Sequence, residues 1–183
     1  MTQMPRDLIE SMTVEYRRYK QLGEGAFAQL TDAELSQASS DDNSVAMIVW
    51  HIAGNLKSRF TDFETDDGEK PWRNRDAEFE ARTVTREALL EQWEEGWRVL
   101  FAALDRLTDD KLDHVVTIRD QQLAVHQALH RSLAHTSYHV GQIVYVAKAC
   151  RGSQWRSLSI PKGASTAFMK GGDTMQPSAK SRA

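Results

Sequence analysis

LLEQWEEGWRVLFAAL, residues 89–104, sets Leu89, Leu90, Trp93, Trp97, Leu100, Phe101 and Leu104 at three- and four-residue spacing. Each residue of an α-helix advances about 100° around the axis, so all seven fall on one stripe. A half-buried strand would need alternation with a period of two, which these residues lack. Thr83 or Thr85, just upstream, can cap the start. The stretch therefore predicts a long helix with one face committed to a core.

Three more segments read the same way. One runs from about Pro5 to Leu30, with Pro5 suited to a first turn. Another follows SSDDN, where Asp42, Asn43 or Ser44 can cap, and continues through SVAMIVWHIAGNLKSRFTDF to about Phe63. The last spans about Val125 to Ala149. Between them, residues 31–43 are polar with room for a short helical turn, and residues 64–82 form a long connection of the kind that often carries function. VVTI-RDQQ-LAV, residues 115–125, reads as two short β-compatible runs around a polar turn, a small hairpin. Glycines 152, 163, 171 and 172, with Pro161, predict an irregular tail whose last dozen residues are disordered. The expected fold is all-α: a four-helix bundle forming one domain over residues 1–165, with 166–183 as a flexible tail.

Composition narrows the function. The 183 residues carry a formal net charge of −3, with 40% hydrophobic and 27% charged residues. A chain of this length can bury about 70% of its unfolded surface. No concentration of basic residues suggests a nucleic-acid partner. No run of about 18 apolar residues suggests a membrane span, and MTQMPRDLIESM has no signal-peptide core. Cys150 stands alone, so no intramolecular disulfide is expected and a cytoplasmic location is the economical reading.

The histidines are the candidate chemistry. Four of six lie in HQALHRSLAHTSYH, residues 126–139, as two H-x-x-x-H pairs. With His135 at zero, His139 projects near 40°, but His126 and His130 project near 180° and 220°. The pairs face nearly opposite ways, so one site can use only one of them. Projection alone leaves both open, and a tetrahedral site needs a further ligand in either case. His114 lies between helices. His51 sits mid-helix in IVWHIAGNL, either as a satisfied core histidine or as a ligand from a facing helix.

HIAGNLKSRF (51–60) and RSLAHTSYHVGQIVYVAK (131–148) resemble the DinB-like, or YfiT-like, superfamily of metal-dependent helical bundles. DGEKPWRNRDAEF (67–79) and the tail SLSIPKG resemble one uncharacterised subfamily of it. The resemblance extends to about residue 165 and is most specific at H-x-x-x-H followed by G-Q. It implies a four-helix bundle, often a homodimer, with a divalent metal held by one histidine of the second helix and two of the last. Carried onto this sequence these are His51, His135 and His139; His126 and His130 have no counterpart. Members of the superfamily include bacillithiol- or mycothiol-dependent S-transferases and a mycothiol-dependent isomerase, so a low-molecular-weight thiol is the implied co-substrate.

Three neutral imidazoles would leave a +2 charge uncompensated and a position open for water or thiol. Zinc and nickel both suit such donors. No carboxylate is placed by spacing as a third ligand, which disfavours a non-haem iron facial triad. Asn55, Arg59 and Gln142 are candidate pocket residues or simply polar residues on a solvated face. Trp72, Arg73 and Arg75 can cover a pocket, pair an anionic substrate or only pin the loop. The functional expectation is a metal-dependent thiol S-transferase or small-molecule hydrolase; the alternatives are a non-catalytic dimeric metal- or ligand-binding protein of a stress response and a protein with structural histidines only. LGEGAFA (22–28) mimics a phosphate loop but follows no strand, and its glycines read as helix-packing residues.

Overall fold

The computed structural model describes residues 6–38 and 42–166. These residues form five helices and one two-stranded antiparallel sheet: α1 (Asp7–Phe27), α2 (Asp32–Ser36), α3 (Val45–Phe60), α4 (Arg86–Leu104), β1 (Val115–Ile118), β2 (Gln121–Ala124) and α5 (Val125–Arg151). Four of the helices are the long amphipathic segments expected. The fifth, α2, is the short turn in the 31–43 connection. A capping box creates it: the Thr31 hydroxyl accepts from Glu34 N, while the Glu34 carboxylate accepts from Thr31 N at 2.6 Å. Expected features at Pro5 and in the tail beyond residue 166 lie outside the described residues.

Caps fix the other starts. Ser44, one of three residues able to cap, accepts from Met47 N at 3.2 Å and begins α3. Thr85 rather than Thr83 begins α4 by accepting from Ala88 N. α1 ends at Phe27, three residues short of the expected Leu30, in a turn whose carbonyls at Phe27 and Leu30 are taken by the Arg86 guanidinium. α5 runs to Arg151, where Gly152 turns the chain at φ 51°.

α3 packs chiefly on α4 and α1 chiefly on α5, and α3 also meets α5. The stripe on α4 is buried as its spacing requires, with Leu89, Trp93, Trp97, Leu100 and Leu104 inaccessible to solvent. Each such side chain contributes about 1.5–3 kcal/mol by leaving water. Leu90 and Phe101 sit at the edges of the stripe, the second stacked on Trp97 at 5.8 Å. α3 and α4 lie close together at Gly96, where a Cβ would lie 2.7 Å from Ala53 Cα. The α1 glycines pack as expected: Gly23 faces the Trp93 ring and Gly25 faces Leu158. The Tyr16 hydroxyl donates to Leu129 O at 3.0 Å and ties α1 to α5.

The connection after α3 is ordered by what it touches. Gly68 N donates to Thr117 O of β1 at 2.8 Å, and Gly68 O accepts from Ser58 Oγ and Arg59 Nη1 of α3. Asp67 then accepts from the backbone of Arg119 and Asp120, each at 2.9 Å, and of Glu69 at 2.6 Å. Arg119 and Asp120 are the two turn residues of the hairpin, held at φ 54° and 59° without the glycine such a turn favours. The connection returns to α3 as a 3₁₀ turn at Asp76–Phe79. No helix among the described residues is long and apolar enough to cross a membrane.

Candidate metal centre

α3 contributes His51 and α5 contributes His135 and His139 to one cluster, with one ring nitrogen of each within 4.8 Å of the others. His51 and His139 are 3% and 5% exposed, and His135 is half-buried. The i, i+4 spacing on α5 aims His135 and His139 toward α3, as projection requires. The other pair is elsewhere: His126 Nδ1 donates to Leu112 O at 3.0 Å, and His130 and His114 are exposed.

The hydrogen bonds decide which nitrogens are available. His51 Nδ1 donates to Glu78 Oε2 at 2.8 Å, leaving a lone pair on Nε2. His139 Nδ1 donates to Gln142 Oε1 at 2.8 Å, again leaving Nε2 as an acceptor. That His139 Nε2 is buried without any partner. An unmade buried hydrogen bond costs about 1–3 kcal/mol. His135 Nε2 lies 3.2 Å from His51 Nε2 and can donate to it, but this pairing accounts for two histidines and leaves the third orphaned.

A divalent ion would account for all three. Two nitrogens on a tetrahedral ion with bonds near 2.05 Å stand about 3.3 Å apart, close to the separation of His51 and His135. Burial, then the charges of His139, His51 and nearby arginines, push the His135 pKa down to about 3. Burial and His51 push that of His139 down to about 4, although its bond to Gln142 opposes the fall. Both rings are therefore neutral near pH 7, the protonation state a metal requires. The three-histidine group has the donors and the geometry to hold a divalent ion.

A family model described as "Protein of unknown function (DUF1572)" matches residues 3–164. The chain belongs to the DUF1572 family. DUF1572 is itself a DinB/YfiT-like family, in agreement with the resemblance carried by HIAGNL and HTSYHVGQ. A solved structure titled "Crystal structure of the conserved protein of locus from Enterococcus faecalis" aligns at TM-score 0.60 and 18% identity, covering 83% of this chain and 100% of that one. At that identity the likeness concerns the fold alone. No curated protein matches this chain.

In this DUF1572 chain the residue that sequence reasoning missed is Glu78. It is 7% exposed, and besides His51 it accepts from Arg73 Nε at 2.8 Å and Arg73 Nη2 at 2.9 Å. Burial alone would raise its pKa, but the bonds from His51 and Arg73 outweigh burial and hold it below the ordinary glutamate range. A charged Glu78 fixes the ring orientation of His51 and the nitrogen that faces the cluster. Gly54, one turn beyond His51, makes room for it: a Cβ there would lie 2.1 Å from Glu78 Oε1.

The other candidates separate. Gln142 orients His139, as described. Asn55 and Arg59 line a cavity of about 360 Å³ over the cluster, with Arg59 also bonded to Glu69 at 3.2 Å. Arg73 and Arg75 of the long connection line the same cavity. Trp72 is exposed and does not line it, so of the three loop candidates it alone is not a pocket residue. Cys150 is half-buried near the end of α5, outside the cluster, its thiol pKa raised by burial and by the charge of Glu34.

Proposed function

We propose that this DUF1572 protein is a DinB-like four-helix-bundle metalloprotein in which His51, His135 and His139 hold zinc or nickel. We further propose that the site serves a metal-dependent thiol S-transferase or small-molecule hydrolase. The observation that carries this reading is the buried, partnerless His139 Nε2 beside two other imidazole nitrogens. When bound, a divalent ion supplies a Lewis acid that lowers the pKa of a thiol or water held there. The chain's own residues supply the rest. Glu78 and Gln142 each accept a hydrogen bond from an Nδ1–H and so present Nε2 toward the cluster. The three donors leave a tetrahedral ion one position short of completion, on a cavity large enough for a small molecule. A homodimer working in the cytoplasm, where small thiols are kept reduced, completes the reading.

Elemental analysis of untagged protein, purified without added metal, tests it directly. About one zinc or nickel per chain is expected, abolished by His135→Ala and retained by His130→Ala. A metal content near zero that reconstitution does not restore would falsify the reading. Thiol consumption, followed with a panel of electrophiles and several low-molecular-weight thiols, should appear with the metal and vanish on its complete removal. Activity that survives removal rules out this mechanism, and stoichiometric metal without thiol consumption or hydrolysis makes the protein a non-catalytic metal binder.

A further inference from the structure

Among the described residues, five arginines line the cavity over the histidines, and no aspartate, glutamate or lysine does. In a chain with a formal net charge of −3 this is a concentration of positive charge against the overall balance. Three of the five are paired with two carboxylates outside the lining, which leaves one positive charge of the three unbalanced. Glu69 accepts from Arg59 at 3.2 Å and Arg119 at 2.6 Å, and Glu78 accepts from Arg73. Arg75 and Arg131 are left. Among the described residues the acid paired with Arg75 is Asp76, 4.0 Å away with a wholly exposed side chain, a pairing that water largely screens. Arg131 is exposed and makes no hydrogen bond or ion pair among the described residues. It precedes His135 by one helical turn and His139 by two, so all three share a face of α5, about 6 Å apart per step.

Arg73 gives a second, independent indication. Its side chain is 2% exposed and two of its nitrogens reach Glu78, but Nη1 is buried with no partner. A guanidinium N–H removed from water with nothing to donate to is costly, and more so for a charged group. Arg73 lines the cavity, so an oxyanion bound there would satisfy this nitrogen once the guanidinium turns to meet it. Guanidinium groups match carboxylate and phosphate oxygens two at a time, which makes arginine the residue suited to such recognition.

We propose that this cavity binds a small molecule bearing a carboxylate or phosphate group, with Arg75, Arg131 and Arg73 Nη1 as its oxyanion donors. The inference deepens the function proposed above by naming the charge of the substrate, and rests on that reading for the chemistry performed. It does not rest on it for binding, because the arginines line the cavity whether or not the histidines hold an ion.

Calorimetric titration of succinate and of inorganic phosphate into metal-free and zinc-loaded protein tests the proposal. At least one of the two should bind saturably, one to one, in both forms, and the tighter of the two identifies the group. Succinamide, of similar shape but uncharged, should not bind. Arg75→Gln and Arg131→Gln should each weaken the anion about 10-fold, while Arg98→Gln on the exposed face of α4 leaves it unchanged. The proposal is overturned if neither anion binds saturably, if succinamide matches succinate, or if the two arginine changes have no effect. It is equally overturned by an anion that binds only with zinc present and ignores both arginines. Metal content measured on the same samples keeps the two readings apart: anion binding without stoichiometric metal sinks only the metal reading, and stoichiometric metal without anion binding sinks only this one.

Discussion

Gly54 lacks a side chain where the Glu78 carboxylate needs the space. Gly54→Ala should push Glu78 away from His51, and Glu78→Gln should remove its charge while keeping its shape. Either change frees the His51 ring to reorient, and loss of a carboxylate behind a metal-binding histidine typically lowers affinity about 10–100-fold. Competition against a chelator of known strength measures this, and unchanged affinity in both variants would show that Glu78 serves only Arg73. The three histidines were partly legible in the sequence. Opposed helical faces reduced two pairs to one choice, and the resemblance in HIAGNL and HVGQ made that choice. Glu78 was not legible, because seven acidic residues lie between 64 and 82 and no periodicity in an irregular segment singles one out. The one local sign was a glycine in the middle of α3, opposite the place the carboxylate takes.

Among elements, the hairpin depends on a residue outside it. Its two β-compatible runs were readable from VVTI and LAV, but the turn between them is Arg119–Asp120 with both residues left-handed, a conformation that neither favours. The Asp67 carboxylate supplies the missing stabilisation by binding both turn amides. Asp67→Ala should cost roughly 1 kcal/mol after discounting for solvent, or about 2–4 °C in Tm. Burial tends to raise the Asp67 pKa, but the backbone amides of Asp120, Glu69 and Arg119 outweigh it and leave it lowered. Lowered folded values stabilise the protein above the unfolded pKa, near 4 for a carboxyl, and lose that contribution as pH falls through the folded value. Amide exchange at Arg119 and Asp120, relative to the intrinsic rate at the same pH, should therefore accelerate as the wild-type protein is taken below about pH 4. In Asp67→Ala it should be fast already at neutral pH; exchange equal to wild type there would remove Asp67 from this role.

For the whole molecule, two helical glycines predict opposite outcomes. A Cβ at Gly96 would press on the backbone of Ala53, two residues from His51, so α3 must move as a unit. Gly96→Ala should destabilise the protein by about 1–3 kcal/mol, and it should also weaken metal binding although Gly96 lies outside the site. A Cβ at Gly141 on α5 would meet no atom outside its own helical turn within 4 Å, so Gly141→Ala should raise stability by about 0.5–1 kcal/mol through helix propensity. Chemical denaturation checks both, and a loss of stability from Gly141→Ala would contradict an open position there. The helical class was legible because each long helix carries a stripe wide enough to declare its period. The pairing of α1 with α5 and of α3 with α4 was not, since apolar stripes state that a face is buried without stating against what.

Glu78 reaches the site on a connecting segment, whereas His51, His135 and His139 stand on helices. The site therefore depends on a segment that the helix packing does not need. Helix packing can bring the imidazoles near one another, but His51 acquires a fixed orientation only when residues 66–79 have docked against α3 and the hairpin. A single peptide-bond cut within that segment should leave the helices folded and the histidines adjacent, while loosening the grip on an ion. The fold and the site are thus separable by one covalent break.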